Sequence, residues 1–140
     1  MSYLSKVGIA MYKADFDAIK KAIAKNDDHT TKALLESAEV SVLPSENDRC
    51  VNMLAEDRCL EPDAYVVLMW DWMKWYEEFP EVRFIMDAMH KLHHYSYIRI
   101  GEETGDVEQD SRLGEWEDGV EVDYMFDSII NVSADIAITA

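Results

Sequence analysis

The sequence predicts an α+β fold: a mostly antiparallel sheet with helices packed on one face, ending in acidic C-terminal strands and loop. Three observations carry this. A short apolar run near the N-terminus is bounded by charge, apolar residues in the middle of the chain recur at helical spacing, and beyond His94 the period changes to two. With 140 residues, 49% of them hydrophobic and 11% aromatic, the chain fits one domain spanning residues 1–140 and has enough apolar material for a core.

Taken in order, Ser5 to Tyr12 (SKVGIAMY) reads as a first strand. Asp15 is placed to cap a helix whose apolar residues Phe16, Ile19, Ala22 and Ile23 share a face, opposite Lys20, Lys21 and Lys25. Asn26-Asp27-Asp28 interrupts it, and Thr31 to Ala38 forms a second short helix. Val40 to Leu43, next to Pro44, suits an edge strand. Residues 44–63 read as a polar connection containing both cysteines, Cys50 and Cys59. Their spacing matches no zinc knuckle, and an intracellular setting would keep them as free thiols.

The segment from Asp63 to Phe79 predicts a helix, because Tyr65, Leu68, Met69, Trp72, Trp75, Tyr76 and Phe79 follow helical spacing. Val66, Val67, Trp70 and Met73 make it apolar nearly all round. It is therefore expected to be covered on two sides, or else to present the Trp70 to Trp75 stretch to an oligomeric partner. Pro80 then starts another helix, with Val82, Ile85, Met86, Met89 and Leu92 on its inner face. Beyond His94, Ser96, Ile98 and Ile100 alternate with Tyr95, Tyr97 and Arg99 as in a strand, and Gly101 to Gly105 gives a turn. At even positions from 120 to 138, nine of ten residues are apolar, which predicts a long alternating strand bent or folded into a hairpin near Asp127-Ser128.

Charge is the most informative property. Acids number 29 against 13 Lys plus Arg, a formal net charge of -16. Residues 1–35 carry six Lys and four acids, net +2; residues 36–100 carry six bases and thirteen acids, net -7; residues 101–140 carry twelve acids and Arg112 alone, net -11. The acidity is thus a local feature of the C-terminal part. Such a chain repels nucleic acid and anionic lipid and favours a basic protein partner. No uncharged run exceeds seven residues and no signal-peptide h-region is visible, so the expectation is a soluble, cytoplasmic protein without membrane association.

Catalytic chemistry finds little footing. G-x-S-x-G, H-E-x-x-H, P-loop and EF-hand patterns are absent from the sequence, so neither an enzyme activity nor a cofactor is predicted. Asp87, His90 and His94 would share a helix face beside His93, but histidines in a last helical turn account for the spacing and no metal is predicted. Gly101 to Asp106 lacks the ligand spacing of a calcium loop. Tyr95, Tyr97 and Arg99 project from one strand face. They suit cross-strand packing or, as the rival reading, a small-molecule or nucleotide pocket, in a binding protein or an enzyme, helped by the nearby histidines.

The acidic block consists of Glu102, Glu103, Asp106, Glu108, Asp110, Glu115, Glu117, Asp118, Glu121 and Asp123, with Trp116 embedded in it. One reading is a solvated loop that maintains solubility. The other is a partner-binding surface whose carboxylates occupy a Lys/Arg groove evolved for nucleic-acid phosphates, with Trp116 as apolar anchor. In general type, short, acidic, aromatic-rich and without catalytic motifs, the chain resembles phage- or plasmid-encoded inhibitors that mimic nucleic acid. That resemblance implies an anti-restriction or anti-CRISPR role, with a basic nucleic-acid-handling enzyme or complex as target.

Overall fold

β1 (Ser5–Tyr12) runs through the middle of a five-stranded sheet in a computed structural model that describes residues 3–26, 29–43, 64–132 and 136–138. The strand order is β2-β3-β1-β4-β5, with β2 at Glu39–Leu43, β3 at Tyr65–Met73, β4 at His94–Gly101 and β5 at Val107–Leu113, and every neighbouring pair is antiparallel. The α+β class is therefore as the sequence predicts. The connection 44–63, with Cys50 and Cys59, lies outside the described residues, as do Asp27 and Asp28.

Three helices cover one face: α1 (Lys13–Lys25), α2 (His29–Glu36) and α3 (Pro80–His90). Their apolar stripes, Phe16, Ile19 and Ile23, then Leu34 and Leu35, then Val82, Ile85, Met86 and Met89, pack on Val7, Ile9 and Met11 of β1, Val66, Leu68 and Trp70 of β3, and Tyr95 and Tyr97 of β4. Pro80 opens α3 at the position where its missing N–H costs nothing. Asp15, expected as a cap, instead lies inside the first turn of α1, where the helix dipole still favours a carboxylate. The cap position is held by Tyr12, because β1 passes directly into the helix.

The expected helix at 63–79 is a strand. β3 pairs along its length with β1, and up to Met69 also with β2, as a near-central strand with both faces covered. Burial on both faces removes the alternation that marks a strand, and a continuous apolar run then imitates a buried helix. Leu68 and Trp70 face the helices, whereas Tyr65 and Val67 face the opposite core. Trp70 donates its indole N–H to the Leu34 carbonyl at 2.9 Å and packs on Trp75 with centroids 4.9 Å apart, so both belong to the core. The register jumps from Val7↔Trp70 to Ser5↔Met73, and the bulge so formed holds Trp72 at φ 45 and 46% exposed.

The second face is covered by C-terminal segments. Phe126 and Ile129, with the hairpin β6 (Ile130–Val132) and β7 (Ile136–Ile138), pack on Ala10, Tyr65, Val67 and Ile98. The hairpin comes so close that a Cβ on Gly8 would stand 3.3 Å from Ile136 Cγ2, besides 3.0 Å from Met69 Sδ of the neighbouring β3. The long strand expected over 120–138 is therefore confined to its last part. Residues 116–118 and 124–127 form 3-10 turns, the second capped by the Asp123 carboxylate, which accepts from the Met125 N–H at 3.0 Å. The apolar even positions still point inward at Phe126, Ile130 and Ile136, through a chain that turns instead of running straight.

Candidate acidic docking surface

β5 was expected to be acidic loop; it is the edge strand of the sheet, exposed over its first six residues. No apolar stripe betrays it, and edge charges of this kind block pairing with a second sheet. Register against β4 sets Glu108 opposite Arg99, Asp110 opposite Tyr97 and Arg112 opposite Tyr95. The row Asp106, Glu108 and Asp110 thereby meets hydrogen-bond donors. Arg99 donates to both Asp106 oxygens and, at 2.7 Å from Nε, to Glu108, and adds Ser5 Oγ at 3.1 Å. Tyr3 Oη also donates to Asp106. The guanidinium, with Tyr3, holds the Asp106 carboxyl below the usual carboxylate range. Tyr95 Oη donates to Asp110 at 2.7 Å, and burial together with this bond pushes its phenol up to about 12.

Asp123 is a further carboxylate tied to the core. Its Oδ2 accepts from Tyr12 Oη at 2.6 Å and Tyr65 Oη at 2.7 Å, beneath the T-shaped contacts of both rings with Phe126. Burial first, and Asp123 second, raise the Tyr12 phenol well above its ordinary value. Asp123, expected on a water-facing strand position, is thus part of the framework.

Glu102, Glu103, Glu115, Glu117 and Glu121 are exposed, and Asp118 belongs to the 3-10 turn that Glu115 precedes. Glu102 accepts the Leu4 N–H at 3.1 Å; the carboxylates of Glu115, Glu117 and Glu121 make no hydrogen bond or ion pair among the described residues. Trp116 is 67% exposed and Tyr124 73%. The segment is held in place by backbone. Asp123 N–H donates to Leu113 O at 2.8 Å, His94 Nε2 donates to Glu121 O at 2.7 Å, and Gly114 at φ +95 leaves room that a Cβ would fill 2.5 Å from that same oxygen.

The histidines separate. His94 is spent on Glu121, His90 Nε2 lies 3.5 Å from Asp110 Oδ2, and His93 is exposed. Among the described residues, no group of three or more His, Cys, Asp or Glu is placed to hold a metal ion. Of the strand-face trio, Tyr95 is packed in the core between His90 and Asp110. Tyr97 and Arg99 line a cleft of about 300 Å³ with Tyr3, Ser5, Trp75 and Tyr76, rimmed by Glu77, Glu78, Asp106 and Glu108. Sequence reasoning missed Trp75, Tyr76, Glu77 and Glu78 as site residues because it assigned them to a helix.

No helix among the described residues is long and apolar enough to cross a membrane. Comparison of the chain with protein-family models, with curated proteins and with solved structures finds no match.

Proposed function

We propose that the chain is a small binding protein that inhibits a nucleic-acid-handling protein, of the restriction or CRISPR-effector kind, by offering its basic groove a nucleic-acid-like acidic surface. The surface consists of Glu102, Glu103, Glu115, Glu117 and Glu121 with Trp116 among them, while Asp106, Asp110 and Asp123 hold it in shape. The observation that supports this reading most is Trp116, a large apolar side chain left 67% exposed between two water-facing glutamates. Solubility alone calls for charge and gains nothing from an exposed indole. Carboxylates steer a cationic partner into encounter, and a tryptophan anchor prolongs the complex.

The test is charge reversal at Glu115, Glu117 and Glu121 to Lys, with Asp123 left intact. Wild-type protein should inhibit members of a panel of nucleic-acid-cleaving effectors, and inhibition should weaken steeply between about 50 and 200 mM salt. The reversed protein should stay folded and lose inhibition. A reversed protein that inhibits as well as wild type contradicts the proposal.

A further inference from the structure

We infer that the chain forms a two-fold dimer by pairing β2 with β2 of a second copy, which joins two five-stranded sheets into one of ten strands. The two edges of the sheet differ. β5 carries Glu108, Asp110 and Arg112 along its length, charges that deter a further strand. β2 has no such guard. Its one charged residue is Glu39 at the first position, and the outer N–H and C=O groups of Glu39–Leu43 make no backbone hydrogen bond among the described residues. Val40 and Val42 are 45% and 40% exposed, although Leu68 and Val66, directly opposite them on β3, are sealed beneath the helices. The apolar stripe of the helix-facing core therefore runs out past the helices onto an open edge.

Register and charge identify the occupant as a second copy. Antiparallel pairing centred on Ser41 sets Val40 of each chain beside Val42 of the other on one face, and Ser41 beside Ser41. Glu39 then lies opposite Leu43 of the second copy and meets no carboxylate. In a chain of net charge -16, two copies can approach only where acids are few. Residues 29–43, which hold α2 and β2, carry Lys32 against Glu36 and Glu39, net -1, whereas residues 101–140 carry net -11. Lys32 and Glu36 stand 4.0 Å apart and so face each other's charge. β2 and β5 are opposite edges, about 19 Å apart at about 4.8 Å per strand, and joining through β2 leaves the two β5 strands about 43 Å apart. That separation is about five Debye lengths at physiological salt. A seam of this length is small beside the roughly 1,200 Å² that stable interfaces bury, so the dimer is a reversible one with a dissociation constant of about 10 to 100 µM. The interface is separate from Glu115, Glu117 and Glu121, and it stands or falls independently of the inhibitory reading.

Sedimentation equilibrium of the full chain from about 5 to 500 µM tests it. A monomer–dimer equilibrium should appear and should tighten as salt rises from about 50 to 500 mM, because screening relieves repulsion between two acidic copies. Val40→Lys, at an exposed edge position, should preserve the circular dichroism spectrum and weaken dimerisation at least about tenfold. Ser111→Lys, exposed on β5, should leave dimerisation no weaker. Mixing Val40→Lys chains with Val42→Glu chains sets the new lysine opposite the new glutamate and keeps one Val–Val pair, so the mixture should recover the dimer that neither variant forms alone. A chain that stays monomeric at about 500 µM overturns the proposal and leaves the edge to a strand of another protein. Dimerisation that Val40→Lys does not weaken, or that the mixture does not recover, overturns it as well.

Discussion

Two kinds of carboxylate share the stretch from Gly101 to Asp127. Asp106, Asp110 and Asp123 accept from Arg99 and from the hydroxyls of Tyr3, Tyr95, Tyr12 and Tyr65, and so fasten the sheet edge and the C-terminal turns to the core. Glu115, Glu117 and Glu121 stand in water around an exposed tryptophan. What separates them is register and reach. Asp106 and Asp110 lie diagonally across from Arg99 and Tyr95 of β4, and Asp123 lies below the paired tyrosines of β1 and β3, each within one hydrogen bond of a donor. The glutamates lie on chain that has left the sheet. A net charge summed over the segment hides this division, and only the set that accepts from Arg99 and the tyrosines should matter to folding.

The largest expected effect is at Asp123. Asp123→Ala leaves the Tyr12 and Tyr65 hydroxyls without their acceptor and removes the cap of the 124–127 turn, so urea denaturation should show a loss of about 2 to 4 kcal/mol. A loss as small as that of a surface glutamate would erase the distinction. Arg99→Met comes next, at about 1.5 to 3 kcal/mol. It leaves Asp106 and Glu108 to repel each other without the guanidinium between them.

Alkaline pH sharpens the comparison from the tyrosine side. Tyr12 is raised by burial and by Asp123, and Tyr95 and Tyr97 are pushed up to about 12, so all three stay protonated in the native state after they would ionise in the unfolded chain. Their contribution is complete below about pH 10 and declines as pH rises beyond it, because the unfolded state then releases protons that the native state retains. Stability should fall between about pH 10 and 12, and phenolate absorbance from these residues should rise over that window chiefly with unfolding. The smallest effect on stability belongs to Trp116→Ala, within about 0.5 kcal/mol. The same change should speed dissociation from an inhibited effector and leave the salt dependence of binding unchanged, since it removes contact area and no charge.

How much of this could be read from the sequence depended on how many sides of each element are covered. β4 alternates and was legible. The helices α1 and α3 show one apolar stripe each and were found within a few residues. β3 is apolar on both faces and β5 on neither, so neither shows the alternation that marks a strand. Val66, Val67 and the neighbouring aromatics of β3 have strand propensity, a signal that the helical spacing of Tyr65, Leu68, Met69 and Trp72 masks. The acidic segment was recognised as a unit. Its division was not, because the partners of Asp106 and Asp123 come from Tyr3, Tyr12 and Tyr65, brought near only by the pairing of β1 with β3 and β4. The Trp75 cleft depends on the same long-range pairing.

The most direct test compares urea denaturation midpoints of two variants with equal charge change, one with Asp106, Asp110 and Asp123 changed to Asn, the other with Glu115, Glu117 and Glu121 changed to Gln. The first should unfold at markedly lower urea. The second should unfold at or slightly above the wild-type midpoint, as repulsion among exposed acids is relieved. Equal midpoints for the two variants would contradict the division of the acidic segment into framework and surface.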